Sequence, residues 1–158
     1  YVQPDLLAFG KKTQVCGMLA GPRIDEVPDN VFAVPGRIDS TWSGSLVDMV
    51  RCKHYLEVFE QDNLVEHSRR MGEVLLEELE GLVQEFPAVS NARGRGLFCA
   101  FDLPDSDFRD RLREKLFENH LIILPCGERS IRFRTALNIP RETLLEGTHI
   151  IRQVLHQM

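Results

Sequence analysis

Apolar residues near the start of the chain occur in two short runs. The runs are DLLAF, residues 5–9, and QVCGMLAG, residues 14–21, and a Gly-Lys-Lys break separates them. Short apolar runs bounded by a glycine are typical of strands, so this pattern predicts two buried strands joined by a tight turn. Prolines from Pro22 to Pro35 then predict a long irregular connection that reaches about Ser43.

Two later segments carry apolar residues at the spacing of an amphipathic helix. The first segment runs from Gly44 to about Glu60 and the second from about Leu64 to Phe86, where Pro87 supplies a stop. The first stripe consists of Met49, Cys52, Leu56 and Phe59, and the second of Met71, Leu75, Leu79, Leu82 and Phe86. Stripes of this kind usually pack a core, which is the role predicted for the second one.

After the second helix, strand spacing and helix spacing alternate. The segment ARGRGLFCAFDL predicts a strand from about Gly94 to Leu103, with every second residue on one face. A helix around Leu112 follows, and then strands in LIILP and SIRFR around a Cys-Gly turn. A last helix, capped near Thr143, runs to about His156. This half is therefore predicted to be a compact α+β unit without internal repeats.

Composition narrows the classes of partner. The chain has 158 residues, 43% of them hydrophobic, and its 19 basic and 24 acidic residues give a formal net charge of -5. Because there is no basic tract, neither a nucleic acid nor an anionic membrane is expected as a partner. The four cysteines are widely spaced without a Cys-x-x-Cys motif, so no metal site is predicted. With no apolar run of membrane-spanning length, the expected location is the reducing cytoplasm.

The first candidate for chemistry is the lysine pair in the turn after DLLAF. Gly10 lets the chain turn closely there, just before Lys11 and Lys12. A lysine that is desolvated in such a place has a neutral amine that attacks a carbonyl to form a Schiff base. The alternative is a pair of solvated lysines in an ordinary turn, which the local pattern alone favours.

Hydroxyl side chains precede the first predicted helix. Ser40, Thr41 and Ser43 lie beside Gly44, where backbone N–H groups and the positive end of the helix dipole suit a phosphate. Simple capping of the helix is the alternative role for the same hydroxyls.

Arginines form the third group of candidates. A strand in SIRFR places Arg132 and Arg134 on one face, where two guanidiniums can hold one carboxylate. A surface pair balanced by nearby acids is the alternative. In ARGRG, Arg93 and Arg95 are either an anion contact or, as we favour, the polar side of a turn. The five histidines are scattered and are expected to be structural.

Taken in order, the segments DLLAFGK, STWSG, RGRGLFCAF and SIRFR resemble the C-terminal part of a class III pyridoxal-phosphate aminotransferase. The resemblance implies the α/β and α+β architecture of a fold-type I transferase that depends on pyridoxal 5'-phosphate. Residues 1–61 would form the end of the large cofactor domain, including the Schiff-base lysine turn and a linking helix. Residues 62–158 would form the small C-terminal α+β domain.

The chain starts at Tyr1 rather than at a methionine, directly before an apolar strand. We therefore expect it to be a piece of a longer protein. In the family that it resembles, the rest of the cofactor pocket precedes the lysine, so residues 1–158 alone are not expected to transaminate.

The resemblance implies roles for three residues. Asp5 and the residues after it fit the family pattern that makes Lys11 the Schiff-base lysine and the base that moves the substrate proton. Thr41 matches a threonine that binds the cofactor phosphate of the other subunit, which implies a homodimer with shared active sites. Arg132 matches the arginine that holds the carboxylate of the substrate or of the keto acid. Asp39 stands where the family often has asparagine, so no role is carried over to it.

Within the class, FGKKTQVCG and STWSG look most like the lysine 6-aminotransferase subgroup. The implied reaction moves the terminal (ε) amino group of L-lysine to 2-oxoglutarate and gives a semialdehyde and glutamate. The 4-aminobutyrate aminotransferases come next in resemblance. The alternatives are a 4-aminobutyrate or ornithine aminotransferase, or a decarboxylase or aminomutase of the same fold. The rival from another class is a non-catalytic α+β binding module from about Leu64 to Met158.

Overall fold

The computed structural model describes residues 3–39, 41 and 43–158. The chain divides into two compact units, Tyr1–Asp62 and Asn63–Met158. Each unit has a small antiparallel sheet of its own. No helix in the described ranges is both long enough and apolar enough to cross a membrane.

The first unit contains a two-stranded ribbon, two short 3-10 turns and one long helix. The elements are strand β1 (Leu6–Phe9), the turn Lys11–Thr13, strand β2 (Gly17–Ala20), the turn Pro22–Glu26 and helix α1 (Leu46–Gln61). The predicted strand pair, its tight turn and the first helix are confirmed, with the helix beginning at Leu46 rather than at Gly44.

None of the residues described in the first unit is buried within this chain. Leu6 and Leu19 on the ribbon are 51% and 58% exposed, and Leu56 on α1 is 54% exposed. The expectation of buried strands is therefore wrong for the chain by itself. A two-stranded ribbon has no second layer to cover its faces, and such a ribbon is at best marginally stable alone in water.

The second unit contains a four-stranded antiparallel sheet and three helices. The strands lie in the order β3-β4-β6-β5, so the central pair joins strands that are distant in sequence. The elements are helix α2 (Leu64–Glu85), strands β3 (Ser90–Arg95) and β4 (Phe98–Asp102), helix α3 (Ser106–Glu118), strands β5 (Leu124–Cys126) and β6 (Ser130–Arg132), and helix α4 (Arg141–Leu155).

The core of the second unit forms between the helices and one face of the sheet. Leu75, Leu79 and Leu82 of α2 are fully buried, which confirms the core role predicted for this stripe. They belong to one cluster with Phe101 and Ile131 from the two central strands, which are also fully buried. Burial of a large apolar side chain stabilises the fold by roughly 1.5 to 3 kcal/mol, so this cluster dominates the stability of the unit.

The strand predicted from about Gly94 to Leu103 is in fact the second half of a hairpin. The chain turns between β3 and β4 at Gly96, whose φ of 54° lies in the left-handed region. Gly72 of α2 packs directly on this turn, because a Cβ built on Gly72 would lie 2.3 Å from the carbonyl carbon of Gly96. The alternating pattern in the sequence runs through the turn and therefore conceals it.

Three other boundaries differ from the sequence prediction. Strand β5 starts at Leu124, so the first part of LIILP is irregular. Strand β6 ends at Arg132, although the backbone N–H of Phe133 still donates to the Cys99 carbonyl oxygen at 2.8 Å. Helix α4 begins after Pro140 instead of being capped near Thr143. A proline suits a helix start because its missing N–H would have no intrahelical acceptor there.

Leu79→Ala is expected to lower the free energy of unfolding of the protein that carries this chain by about 2 to 5 kcal/mol, because it leaves a cavity in the core. Urea denaturation followed by circular dichroism measures the change. Val65→Ala on the same helix is the matched control, since Val65 is 75% exposed, and should cost less than about 0.5 kcal/mol. Equal losses for the two variants would contradict the burial of Leu79.

Candidate functional site

Lys11 lies in the turn that joins β1 to β2. It begins the 3-10 turn Lys11–Thr13, which Gln14 closes by donating its backbone N–H to the Lys11 carbonyl oxygen at 3.0 Å. The residue is exposed, and its φ of 61° lies in the left-handed region of backbone space. The side chain of Lys12 lies outside the described part of the chain.

The strand ends on either side of this turn approach each other closely. A Cβ on Gly10 would lie 2.9 Å from Cys16 Sγ, and a Cβ on Gly17 would lie 2.5 Å from the ring of Phe9. Any larger residue at these two positions would force the strands or their side chains apart. A left-handed lysine costs roughly 1 to 2 kcal/mol, and strained backbone of this kind clusters at functional sites. The turn therefore marks Lys11 as a candidate on structural grounds as well.

The hydroxyl-bearing segment before α1 contains Thr41, which is exposed and lies in a turn. The N-cap of α1 is Ser45, and its side chain makes no capping hydrogen bond within the described residues. The capping residue is therefore none of the three hydroxyl residues predicted from the sequence, Ser40, Thr41 and Ser43. Ser40 lies outside the described residues. A threonine hydroxyl close to the N-terminus of a helix is a suitable arrangement for a phosphate.

A cavity of about 650 Å³ lies within the first unit between the start of β2, the irregular connection and the start of α1. Gln14, from the end of the lysine turn, and Ser43, from the segment before α1, both line it. Lys11 and Thr41 themselves are not among the residues that line this cavity.

Arg132 is the last residue of β6 and lies opposite Ala100 of β4 and Leu124 of β5. Its neighbours Ile131 and Phe133 are buried in the core. The alternation predicted for SIRFR is therefore confirmed. Arg134 is exposed.

Arg132 also lines a cavity of about 250 Å³ in the second unit, which we call the Arg132 cavity. Its walls come from α2, α4 and the segments 121–124 and 132–136. Two polar side-chain atoms there, Arg132 Nε and Thr135 Oγ1, are buried and have no hydrogen-bond partner among the described residues. Buried polar atoms are nearly always paired in native proteins, so these two atoms are exceptions in this unit.

A buried carboxylate, Asp102, joins three strands close to Arg132. It accepts hydrogen bonds from Ser130 Oγ at 2.6 Å and from Asn91 Nδ2 and Arg93 Nη1, each at 2.8 Å. Ser130 lies directly opposite Asp102 in the β4–β6 ladder, two residues before Arg132. The Asp102 network therefore fixes the strand pairing that determines where Arg132 lies.

The charge of Asp102 is maintained by its partners. The residue is 6% exposed, and burial, the largest single effect on its pKa, opposes ionisation. The hydrogen bonds from Ser130, Asn91 and Arg93, together with the positive charge of Arg93, outweigh burial and hold the pKa of Asp102 below its ordinary value. Arg93 has a structural role here, which agrees with the interpretation favoured from ARGRG.

Sequence reasoning missed Thr135 and Asp102. A signal existed for Asp102, because it is the one charged residue of the alternating segment FCAFD and is followed by Leu103 and Pro104. No local pattern marks Thr135, since its hydroxyl becomes a buried, unpaired group only when residues 132–136 close against α2 and α4.

Lys11 and Thr41 belong to the first unit, and Arg132 belongs to the second.

Residues 1–155 match the family model of the class III aminotransferases, and the chain therefore belongs to this family of enzymes that depend on pyridoxal phosphate. It is 48% identical over 155 residues to the L-lysine-epsilon aminotransferase of Mycobacterium tuberculosis. The aligned residues make up 98% of this chain and 34% of the relative. The 4-aminobutyrate aminotransferase of Sus scrofa is 31% identical over 134 residues, or 84% of this chain and 26% of the relative.

A solved structure of lysine aminotransferase from M. tuberculosis in the internal aldimine form has the same fold. It superimposes with a TM-score of 0.93 at 47% identity, over 99% of this chain and 36% of that one. The chain spans about a third of the length of the lysine aminotransferases that it matches. The family and the fold class expected from the sequence are confirmed, as is the likeness first to lysine and then to 4-aminobutyrate aminotransferases.

Asp102→Asn is expected to lower the free energy of unfolding at neutral pH by about 1 to 3 kcal/mol, because Arg93 loses its counter-charge. Since the folded pKa is depressed, the ionised carboxylate stabilises the wild type above the unfolded pKa of about 4. This contribution disappears as the pH falls through the folded pKa. The difference between variant and wild type in urea denaturation should therefore shrink in acid.

Glu80→Gln is the control for that series, because Glu80 is an exposed carboxyl group in the interior of α2, away from the helix start. It should change stability by less than about 0.5 kcal/mol across the same pH range. A pH-independent loss for Asp102→Asn would contradict the ionised, hydrogen-bonded state of Asp102.

Proposed function

We propose that the protein containing this chain is a pyridoxal-phosphate-dependent aminotransferase that transfers the terminal amino group of L-lysine to 2-oxoglutarate. The products would be a semialdehyde and glutamate. The observation that carries the proposal is the turn of Lys11, where a lysine with left-handed backbone stands between two strand ends that meet at glycines. The choice of lysine as donor rests on the relatives that match almost the whole chain.

Lys11 would hold the cofactor covalently through Nζ and would be its attachment point between turnovers. The bound cofactor supplies an electron sink for the substrate carbon from which a proton is removed. When Lys11 is not attached to the cofactor, its Nζ would be a free amine that takes this proton and returns it at the next position. The exposed side chain and the compact turn suit this role, because the base needs freedom at its tip and a defined starting point.

Thr41 would bind the cofactor phosphate through its hydroxyl. Support comes from its position in the turn before α1, whose N-cap side chain makes no capping bond within the described residues. Backbone N–H groups at such a helix start favour a negative charge. By the family resemblance the phosphate would belong to the other subunit, so the proposal includes a homodimer with shared active sites.

Arg132 would hold the carboxylate of the amino-acid substrate or of the keto acid. The guanidinium presents its N–H groups in a planar fork that matches a carboxylate better than a lysine ammonium does. Arg132 ends β6 and lines the Arg132 cavity, where its guanidinium would meet the acid. Positioning of the substrate by such a clamp contributes to the rate as well as to binding.

The domain assignment and the cellular location belong to the same proposal. Residues 1–61 would be the end of the large cofactor domain and residues 62–158 the small C-terminal domain, and the division of the chain at Asp62 is compatible with this. We infer the cytoplasm as the location because all four cysteines are free thiols.

A second candidate function is transfer from 4-aminobutyrate. The likeness to the Sus scrofa enzyme favours it, although at lower identity and over less of the chain than the likeness to the lysine enzymes. Ornithine is a further possible donor of the same class. Ornithine is one methylene group shorter than lysine, and 4-aminobutyrate lacks the α-amino group, so donor preference is measurable.

Borohydride reduction of the full-length protein with bound cofactor is expected to leave a phosphopyridoxyl group on Lys11, because reduction makes the covalent link permanent. Proteolysis and tandem mass spectrometry locate the label. Lys12→Arg is the matched control and should keep the label on Lys11, whereas Lys11→Arg should abolish it. A label on Lys12, or on no peptide of this chain, would contradict the assignment.

L-Lysine is expected to be the preferred donor, with a kcat/KM about tenfold or more above those for 4-aminobutyrate and L-ornithine. Lysine labelled with heavy nitrogen at the ε position should give labelled glutamate, while the α-labelled form should not. Mass spectrometry of the glutamate reads out both experiments. A higher kcat/KM for 4-aminobutyrate, or transfer of the α label, would overturn the lysine assignment.

A further inference from the structure

The sheet of the second unit has an outer face, opposite the core, that carries Arg132 together with a single acid. Arg132 lies opposite Ala100 in the β4–β6 ladder, and Asp102 lies two residues further along β4. Because alternate residues of a strand point to the same side, Arg132 and Asp102 share the outer face. Asp102 is the only acidic residue in strands β3 to β6, all of whose residues are described.

This arrangement places the Asp102 carboxylate within reach of Arg132. Residues on neighbouring antiparallel strands that are offset by two positions lie about 7 to 8 Å apart, a gap that long side chains span. An arginine that is paired with an acid of its own sheet is neutralised and is no longer available to the carboxylate of a substrate. On its other side Arg132 faces Leu124 of β5, which carries no charge. Asp102 is therefore the acid in the sheet whose pairing decides whether Arg132 is free.

Asp102 is instead occupied by three other side chains, and Arg93 supplies the only positive charge among them. Arg93 Nη1 donates to Asp102 Oδ1 at 2.8 Å, and Arg93 Nη2 donates to Ser130 Oγ at 3.2 Å. Ser130 Oγ donates to the same Oδ1 at 2.6 Å, and Asn91 Nδ2 donates to Oδ2 at 2.8 Å. Both carboxylate oxygens are thus engaged, and the charge of Asp102 is balanced by Arg93.

We propose that Arg93 is a positioning residue for substrate binding, because its pairing with Asp102 keeps this carboxylate away from Arg132. The Arg132 guanidinium is thereby left free for the carboxylate of the substrate. This inference rests on the role of Arg132 under the proposed function and adds to it the residue that maintains that role. Without Arg93, Asp102 would be a buried carboxylate without a counter-charge, a costly state that pairing with Arg132 relieves.

The test measures the binding of glutarate, an unreactive five-carbon dicarboxylate, to the full-length protein by calorimetry. Arg93→Gln should weaken binding about tenfold, which corresponds to Arg132 being free in about one molecule in ten. Asp102→Asn should not weaken binding, since a neutral amide does not neutralise Arg132. The double variant Arg93→Gln/Asp102→Asn should return to within about twofold of the wild type, because the competing acid is gone. The KM for 2-oxoglutarate should follow the same order, with kcat unchanged.

Arg95→Gln is the matched control for the loss of a positive charge. Arg95 is exposed and lies on the same strand and the same face as Arg93, opposite Phe98. Its removal should leave glutarate binding within about twofold of the wild type, because exposed charges are well screened by salt. A loss equal to that of Arg93→Gln would show that only the total charge of the outer face matters, and it would overturn the proposal.

A purely structural role of the Asp102 network gives a different pattern. Asp102→Asn would then weaken glutarate binding as Arg93→Gln does, and the double variant would bind no better than either single variant. That pattern, or unchanged binding by Arg93→Gln, would overturn the proposal. Urea denaturation of the same variants separates binding from folding, since Asp102→Asn should lose stability and keep its affinity.

Failure of this inference is separable from failure of the proposed function. Arg132→Gln should weaken glutarate binding about tenfold or more, and adding Arg93→Gln to it should have no further effect. If Arg132→Gln leaves binding unchanged, or if the wild type does not bind glutarate, the carboxylate role of Arg132 and this inference are both rejected. If the label is found on Lys11 and binding depends on Arg132 but not on Arg93, the proposed function stands and only this inference is rejected.

Discussion

The antiparallel pairing of β4 with β6 is the constraint on which the second unit depends. These strands are far apart in sequence, and their register places Ile131 opposite Phe101 in the core and Arg132 opposite Ala100 on the other side. A shift of one residue would exchange the two faces and bury the guanidinium. The Asp102 network prevents this shift, because its carboxylate reaches Ser130 in one strand and Asn91 and Arg93 in the other neighbour.

The first unit depends on a different constraint. Its ribbon and helix bury no described residue within this chain, and order there comes from local geometry. Gly10 and Gly17 allow the strand ends to approach, and the 3-10 turn between them fixes the backbone of Lys11. The two units thus present their candidate residues in different ways, one on a tight turn and the other at the end of a strand in a packed sheet.

Much of this architecture was predictable from the sequence, for identifiable reasons. The stripe of α2 repeats over several turns, and long periodic segments predict both the element and its buried face well. The motifs around Lys11, Thr41 and Arg132 led to the right family because several short segments occurred in the right order. The candidate roles of these three residues remain proposals, since they concern chemistry with groups beyond this chain.

The features that sequence reasoning missed depend on tertiary contacts. The β3–β4 turn was hidden because alternation continues through Gly96, and its left-handed backbone is selected by packing against α2. The exposure of β1 and β2 was missed because an apolar run indicates a preference for burial and does not supply the covering layer. The unpaired hydroxyl of Thr135 follows from the closure of segments that are distant in sequence.

The contact between Gly72 and Gly96 has a consequence for how this family member can evolve. Glycine within a helix is unfavourable by about 0.5 to 1 kcal/mol relative to alanine, so drift would ordinarily replace Gly72. Here a methyl group would meet backbone atoms of the hairpin at 2.3 Å, and no change of side chain at position 96 can create room. The pair therefore offers no route for compensatory substitution, and the two positions should be retained together or lost together with the hairpin itself.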